Sequence, residues 1–436
     1  MEFGKHLGKG IWGLAGRALP VIYGMSYVVL VVRVLPEVEF GNFVLVQETF
    51  LVLSNLAAAF ALQPLLKFAA ETPEHQRDTV GSVILMNTGF IILASLMIVL
   101  LRSPLSRLLN SPDLEFLLLY MPALLAANFI RNFTLVLLQT RLMTRELFWV
   151  DAAHFFGAPL LILWYSWMNW FNSATDLVVV NIISLSLSSL VGLWLARDLL
   201  SFNLHPPKAE LIRMWDYGKY SFSSNVSYLF YSKADSFILA AFTGPALVGV
   251  YNSVKIFTRV FEMVAQVMQL FVFPASSRLA ARGDYDSLKK LLEKAITFST
   301  IALLPVFVGF LFFAPTIIGI IYAGKYTEAI PLLQVFSLLC LVVPAMSVAS
   351  NALLGLGHAR LSFVLGTKTL FASVVIYLAL IPWLGPLGAT LGFVISSCLQ
   401  AWLFAREMTR VIPITPMSTL RRVRDIFLFF KSRLGP

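Results

Sequence analysis

Six polar or charged side chains, Asn252, Lys255, Arg259, Glu262, Gln266 and Gln269, recur at alternating three- and four-residue steps inside one apolar segment. That spacing puts all six on one face of a single α-helix. The rest of the segment is Val, Phe, Ile, Met and Ala, as in a bilayer-spanning helix. A charge at mid-bilayer costs roughly 2.5–3.5 kcal/mol on insertion scales, so such a stripe persists only against a bundle interior or a water-filled path. The pattern predicts a membrane protein with a polar, net positive cavity, and the chemistry it suits is binding of an anion.

Other segments repeat the signature. Tyr217, Ser221, Ser224, Tyr228, Tyr231 and Asp235 form a hydroxyl-rich face ending in a carboxylate; Asn128, Arg131, Asn132 and Gln139 share a face, as do Glu48 and Asn55. Arg17 lies in line with Pro20, Gly24 and Tyr27, while Lys233 and Lys368 stand apart. Arg259 and Glu262 can pair along their own helix. That pairing leaves Arg17, Arg131 and Lys255 as uncompensated positive charge suited to phosphate, with Arg259 beside them. Asp235, Glu262 and Glu48 can carry a coupling proton or sodium ion, or serve as counter-ions for the cations. For every one of these residues the alternative is that it only holds helices together.

Enzyme chemistry finds little support. The five His are scattered without metal-ligand spacing, and neither Cys lies near a His in sequence. Cys340 and Cys398 fall inside apolar segments and read as packing residues. Gly319 to Lys325 resembles a phosphate loop, but Tyr326 stands where Ser or Thr would hold magnesium. No cofactor is expected.

The elements that must position these side chains follow from composition. Hydrophobic residues make up 58% of the 436 and charged residues 13%, whereas an ordinary soluble domain is about one-quarter charged. Apolar runs predict twelve spans, near 11–33, 42–66, 81–101, 114–139, 150–168, 176–196, 217–243, 248–274, 295–322, 329–354, 362–382 and 387–405. The first is interrupted by Arg17 and Pro20 and does not read as a cleavable signal. Most Lys and Arg fall on the side of both termini, and only Arg33, Arg102, Arg107 and Lys325 on the other, which predicts cytoplasmic termini. The same bias accounts for the net charge of +10 without any nucleic-acid partner.

An internal repeat divides the chain. Leu35–Phe43 and Thr243–Tyr251 are matching turns, each a turn former with Gly five residues on and an aromatic two beyond. The expected organisation is an N-terminal six-helix lobe over 1–200, a cytoplasmic linker over 201–216, a C-terminal six-helix lobe over 217–408 and a basic amphipathic tail over 409–436. The halves run parallel around a central cavity, an all-α membrane fold. Asp286–Lys294 and the tail both read as amphipathic helices suited to an anionic lipid surface, or as basic faces that merely fix topology.

Twelve spans in two halves, the turn Leu35–Phe43, Asp235 ahead of Thr243–Tyr251, Pro274 with Arg278–Leu288, Ile320–Tyr326 with Ala329, and Leu384–Ala389 together resemble the polysaccharide flippases of the multidrug/oligosaccharidyl-lipid/polysaccharide exporter superfamily. The resemblance covers nearly the whole chain but consists of turns and hydropathy, not a catalytic signature. It implies a bacterial inner-membrane carrier of undecaprenyl-pyrophosphate-linked oligosaccharide for O-antigen or exopolysaccharide. The pyrophosphate would lie at Arg17, Arg131, Lys255 and Arg259 and the sugars at Tyr217, Tyr228, Tyr231, Asn128 and Gln266. Polysaccharide polymerases or glycosyltransferases are its implied partners. A multidrug antiporter of the same superfamily is the first alternative, although it calls for an acidic cavity. A membrane-embedded polymerase or ligase is the second, although no outer connection here carries a catalytic set.

Overall fold

Apolar runs this long can satisfy their backbone N–H and C=O groups in hydrocarbon only within the segment itself, so they become helices. The computed structural model describes residues 12, 19–20, 23–24, 27, 29–71, 76–141, 143–415, 418–419 and 422–423, and every regular element among them is helical. α1 is Glu37–Ala57, continued by a π-helical turn Ala58–Leu62 into α2, Gln63–Glu71. α3 is Gln76–Leu108, α4 Met121–Thr140, α5 Thr144–Trp167, α6 Ala174–Leu195 and α7 Lys208–Thr243. α8 is Pro245–Lys255, followed by a 3₁₀ turn Ile256–Thr258 and α9, Arg259–Ala281. α10 is Tyr285–Phe312, α11 Ala314–Tyr322, α12 Ala329–Ser337, α13 Leu339–Gly355 and α14 Ala359–Val411.

Eight helical stretches among the described residues are long and apolar enough to cross a membrane, and a ninth if α12 and α13, bent by 43°, form one broken span. This is a multi-pass membrane protein. The count differs from the expected twelve for identifiable reasons. Most of 11–33 lies outside the described residues. α7 is helical for 36 residues, but Asp216, Lys219, Lys233, Asp235 and its hydroxyls make it too polar to qualify. α14 is two helices joined at Gly385, where φ is 53° and ψ −128° between Pro382 and Pro386. At about 1.5 Å per residue its 53 residues run to roughly 80 Å, far beyond one ~30 Å hydrocarbon core.

By packing, the chain forms two compact units, Met1–Asn252 and Ser253–Pro436. In the first, α3 shows the inverted logic of a lipid-exposed helix. Ile92, Leu93, Leu96 and Leu100 are more than half exposed, while Asn87 is buried at 1%. The expected linker is free of helix only over its first part, because α7 already begins at Lys208 and its Met214 packs in a core with Leu65, Val80 and Leu137.

The first unit runs past the linker because the two repeat turns meet inside it. A Cβ on Gly41 would fall 1.7 Å from the Pro245 carbonyl oxygen, and one on Gly249 would fall 2.7 Å from that of Glu37. Gly41 and Gly249 occupy the same place in the two turns, as do Glu37 and Pro245. The contact is therefore reciprocal, and each half of the repeat supplies the glycine that lets the other's backbone approach.

In the second unit Leu288 and Leu292 are fully buried with Val272, Leu353, Met408 and Ile412. The apolar face of Asp286–Lys294 thus packs into protein rather than onto lipid. Beside it Glu293, 1% exposed, takes the Arg422 Nε at 2.8 Å, and Thr297 donates to the Thr419 carbonyl at 2.9 Å. Of the tail, residues 416–417, 420–421 and 424–436 lie outside the described residues.

Candidate functional site

The six-residue stripe is not on one continuous α-helix. The 3₁₀ turn Ile256–Thr258 separates Asn252 and Lys255 on α8 from Arg259, Glu262, Gln266 and Gln269 on α9. A 3₁₀ residue turns about 120° against about 100° in an α-helix, so three of them rotate the second part of the stripe by roughly 60°. Thr258 marks the break, its hydroxyl bonding back to the Lys255 carbonyl at 2.7 Å.

On α9 Glu262, Gln266 and Gln269 are exposed and Arg259 is half-buried, as is Lys255 at the end of α8. The expected Arg259–Glu262 ion pair does not form; Arg259 begins its helix at the turn and makes its contacts elsewhere, as does Lys255. Asn252 behaves differently. Its amide donates to the Ser236 hydroxyl at 3.3 Å and to the Val248 carbonyl at 3.0 Å, within the first unit.

Arg131 is where the structure departs most from expectation. Rather than standing uncompensated, its guanidinium on α4 is ion-paired with Asp151 of α5, bonds the Ser188 hydroxyl of α6 at 3.1 Å and lies 5.4 Å from the centre of the Phe155 ring. The polar seam continues along α5 and α6. His154 Nδ1 meets Ser184 Oγ at 2.8 Å, and Asn181 donates to the Tyr27 hydroxyl at 2.6 Å. Asp151 lies at the expected start of the fifth span and His154 has no metal-ligand spacing, so neither stands out by itself in the sequence. The signal was present: Asp151 and His154 are one turn apart, and Asn181, Ser184 and Ser188 follow three- and four-residue steps.

Two more charged positions are paired within the first unit. Glu48 Oε2 lies 2.5 Å from Lys233 Nζ, so Lys233, set apart by the spacing, is the partner of a carboxylate on α1. Asp235 is 1% exposed and accepts from the Tyr251 hydroxyl at 2.5 Å and the Ser236 N–H at 2.8 Å, tying α7 to α8. Asn128 lines a small cavity with Ser54, Asn87, Asn132 and residues of the π-helical turn. Tyr217 is 36% exposed and packs edge-on to Phe68, ring centres 5.6 Å apart. Lys368 is exposed on α14. Arg17, and the side chains of Ser224, Tyr228 and Tyr231, lie outside the described residues.

The stripe therefore exposes a carboxylate and two amides on α9, whereas Arg131, Glu48, Lys233 and Asp235 of the first unit each hold a partner. Among the described residues no group of His, Cys, Asp and Glu is placed to hold a metal ion.

Comparison with known proteins agrees with this anatomy. The chain is similar to the probable low-salt glycan biosynthesis flippase Agl15 of Haloferax volcanii, 23% identical over 216 residues, covering 49% of this chain and 46% of that one. It spans about half or less of the length of such curated relatives. Two solved structures share the fold. The lipid II flippase MurJ in an inward closed conformation superposes with a TM-score of 0.74 at 14% identity, covering 97% of this chain and 92% of that one. An inward-facing multidrug resistance MATE family transporter of the MOP superfamily superposes with a TM-score of 0.72 at 15% identity, covering 92% and 98%. The profile of one family, polysaccharide biosynthesis protein, matches residues 30–331, which include the first unit from α1 onward, the whole α8–α9 stripe and the start of α12. A match over that much of the chain makes it a member of the polysaccharide biosynthesis protein family.

Proposed function

We propose that this protein is a flippase that moves undecaprenyl-pyrophosphate-linked oligosaccharide units from the cytoplasmic to the outer leaflet of a bacterial inner membrane. The product would serve O-antigen or exopolysaccharide synthesis. The observation that carries the reading is the open α8–α9 stripe, where Lys255 and Arg259 precede exposed Glu262, Gln266 and Gln269 on a membrane helix. Cations suit the pyrophosphate and amides suit sugar hydroxyls. The family match and the flippase named among its relatives support the same reading.

In this reading twelve spans form two six-helix bundles with both termini cytoplasmic, and rocking of the bundles exposes the head group first to one side and then to the other. Glu262 is the carboxylate best placed to exchange a coupling proton or sodium ion, since Asp235 and Glu48 already hold partners. Polymerases and glycosyltransferases of the same pathway are the proposed partners.

Proteoliposomes loaded with a fluorescent pyrophosphate-linked glycan test the proposal. Wild type translocates it. Arg259→Lys keeps the charge but loses the planar fork of donors, and most transport with it; Arg259→Ala inserts at normal abundance and is inactive. Export of a soluble cation without translocation of the glycan lipid would reverse the assignment.

A further inference from the structure

Between α5 and α6 of the first unit a groove of about 570 Å³ opens at the surface. Small residues, Ala152 and Ala153, make its floor, and Trp149, Phe156 and Trp194, each half exposed or more, make its walls. Farther along α5, Leu160, Leu163 and Trp164 are also more than half exposed, so this face of a membrane helix meets lipid rather than water. From Arg145 to Phe156 the groove runs about 16 Å along α5, at about 1.5 Å per residue. That is one leaflet of a ~30 Å hydrocarbon core, the depth of a single acyl chain.

At one end the groove changes character. Arg145 and Glu146, in the first turn of α5, line its mouth one turn from Trp149. Arg145 is exposed and Glu146 half-buried, and among the described residues neither side chain holds a hydrogen bond or an ion pair. Just past the end of α6, the Arg197 guanidinium carbon lies 5.9 Å from the centre of the Trp194 ring, and its Nε lies 3.8 Å from Asp198. Two cations therefore stand beside two carboxylates. Indole rings such as Trp149 and Trp194 collect at the level of the lipid head groups. An anionic lipid gains no net attraction from a balanced mouth of this kind, whereas a zwitterionic head group uses both signs at once. A phosphate suits the planar donor fork of Arg145, and a primary ammonium, with three N–H donors, suits Glu146.

We infer that the α5–α6 groove is a binding site for one zwitterionic aminophospholipid, phosphatidylethanolamine, drawn from the leaflet at the end of the first unit that bears Arg145 and Arg197. One acyl chain lies over Ala152 and Ala153, the phosphate sits at Arg145 and the ammonium at Glu146. The site goes beyond the flippase reading, because its ligand is a resident lipid of the bilayer and not the lipid that is carried.

The full chain in detergent, titrated with phosphatidylethanolamine and read by native mass spectrometry, tests it, with phosphatidylcholine, phosphatidylglycerol and a polyprenyl phosphate as separate arms. Wild type holds phosphatidylethanolamine about fivefold more tightly than phosphatidylcholine, the upper end for an exposed ion pair. The quaternary ammonium of phosphatidylcholine has no N–H to give Glu146. Glu146→Gln removes most of that preference, and Arg145→Gln weakens both lipids alike. Both variants keep the wild-type thermal midpoint in lipid-free detergent, since neither side chain fastens the fold. Ala153→Leu, which fills the floor, weakens every phospholipid. Equal affinity of wild type for the two zwitterionic lipids overturns the proposal, as does a preference undiminished by Glu146→Gln. Tighter binding of phosphatidylglycerol would make the groove an anionic-lipid site, and tighter binding of the polyprenyl phosphate would make it a seat for the carried tail; either result overturns it as well.

Discussion

On α4 of the first unit, Arg131 is 8% exposed against Asp151, Ser188 and Phe155; on α9 of the second, Glu262, Gln266 and Gln269 are exposed along one flank. Both sets arise from polar residues at helical spacing in apolar sequence, yet they have different physical consequences. Where a neighbouring helix supplies a complementary group, the charge is neutralised and the pair fastens helices together. Where none does, the same spacing leaves donors and acceptors for something that is not protein. Glu48–Lys233 and Asp235–Tyr251 fall with Arg131, whereas Glu262, Gln266 and Gln269 on α9 are exposed, as the proposed binding role requires.

Removing one partner of the Arg131 pair has the largest expected effect. Asp151→Ala strands a buried guanidinium and lowers stability by about 3–5 kcal/mol, which is seen as loss of the inserted protein on immunoblots. Asp151→Ala combined with Arg131→Met recovers abundance; if it does not, the pair is more than a fastening. Gly41→Ala comes next. Its new methyl collides with the Pro245 backbone, and overpacking of that kind costs roughly 1–3 kcal/mol or more. Gly309→Ala in α10 meets nothing within 4 Å and has no such effect, and thermal melting of the two variants compares them directly.

A smaller effect is expected outside the membrane, at the start of α10. Asp284 accepts from the Ser287 N–H at 3.0 Å, and that bond holds its carboxyl below the ordinary carboxylate range. A depressed folded value means the contribution is full above the unfolded value and is lost as pH falls through the folded one. Asp284→Asn keeps a capping oxygen and removes that acid-side decline, measurable as thermal midpoint against pH. The smallest stability effect belongs to Gln266→Ala, within about 0.5 kcal/mol of wild type because the residue is exposed. Its glycan-lipid flipping should nevertheless fall; normal flipping would remove the stripe's centre from the site and erase the contrast with Arg131.

Hydropathy made the helices and their approximate bounds readable, and the repeat turns marked Gly41 and Gly249 before their contact was seen. The 3₁₀ turn was not readable, since Ile256-Phe257-Thr258 carries neither Pro nor Gly. Nor was the long-range pairing. Lys233 looked isolated because its partner Glu48 lies on a different helix.

By itself, then, the sequence determined that the chain is a helical membrane protein with polar stripes in its spans, because hydropathy and the 3.6-residue period are local properties of the chain. Which stripe is satisfied and which stays open was decided only by the tertiary structure. Charge compensation depends on what lies within about 4 Å across a helix interface, and Asp151, Ser188 and Lys233 reach their partners there only through packing.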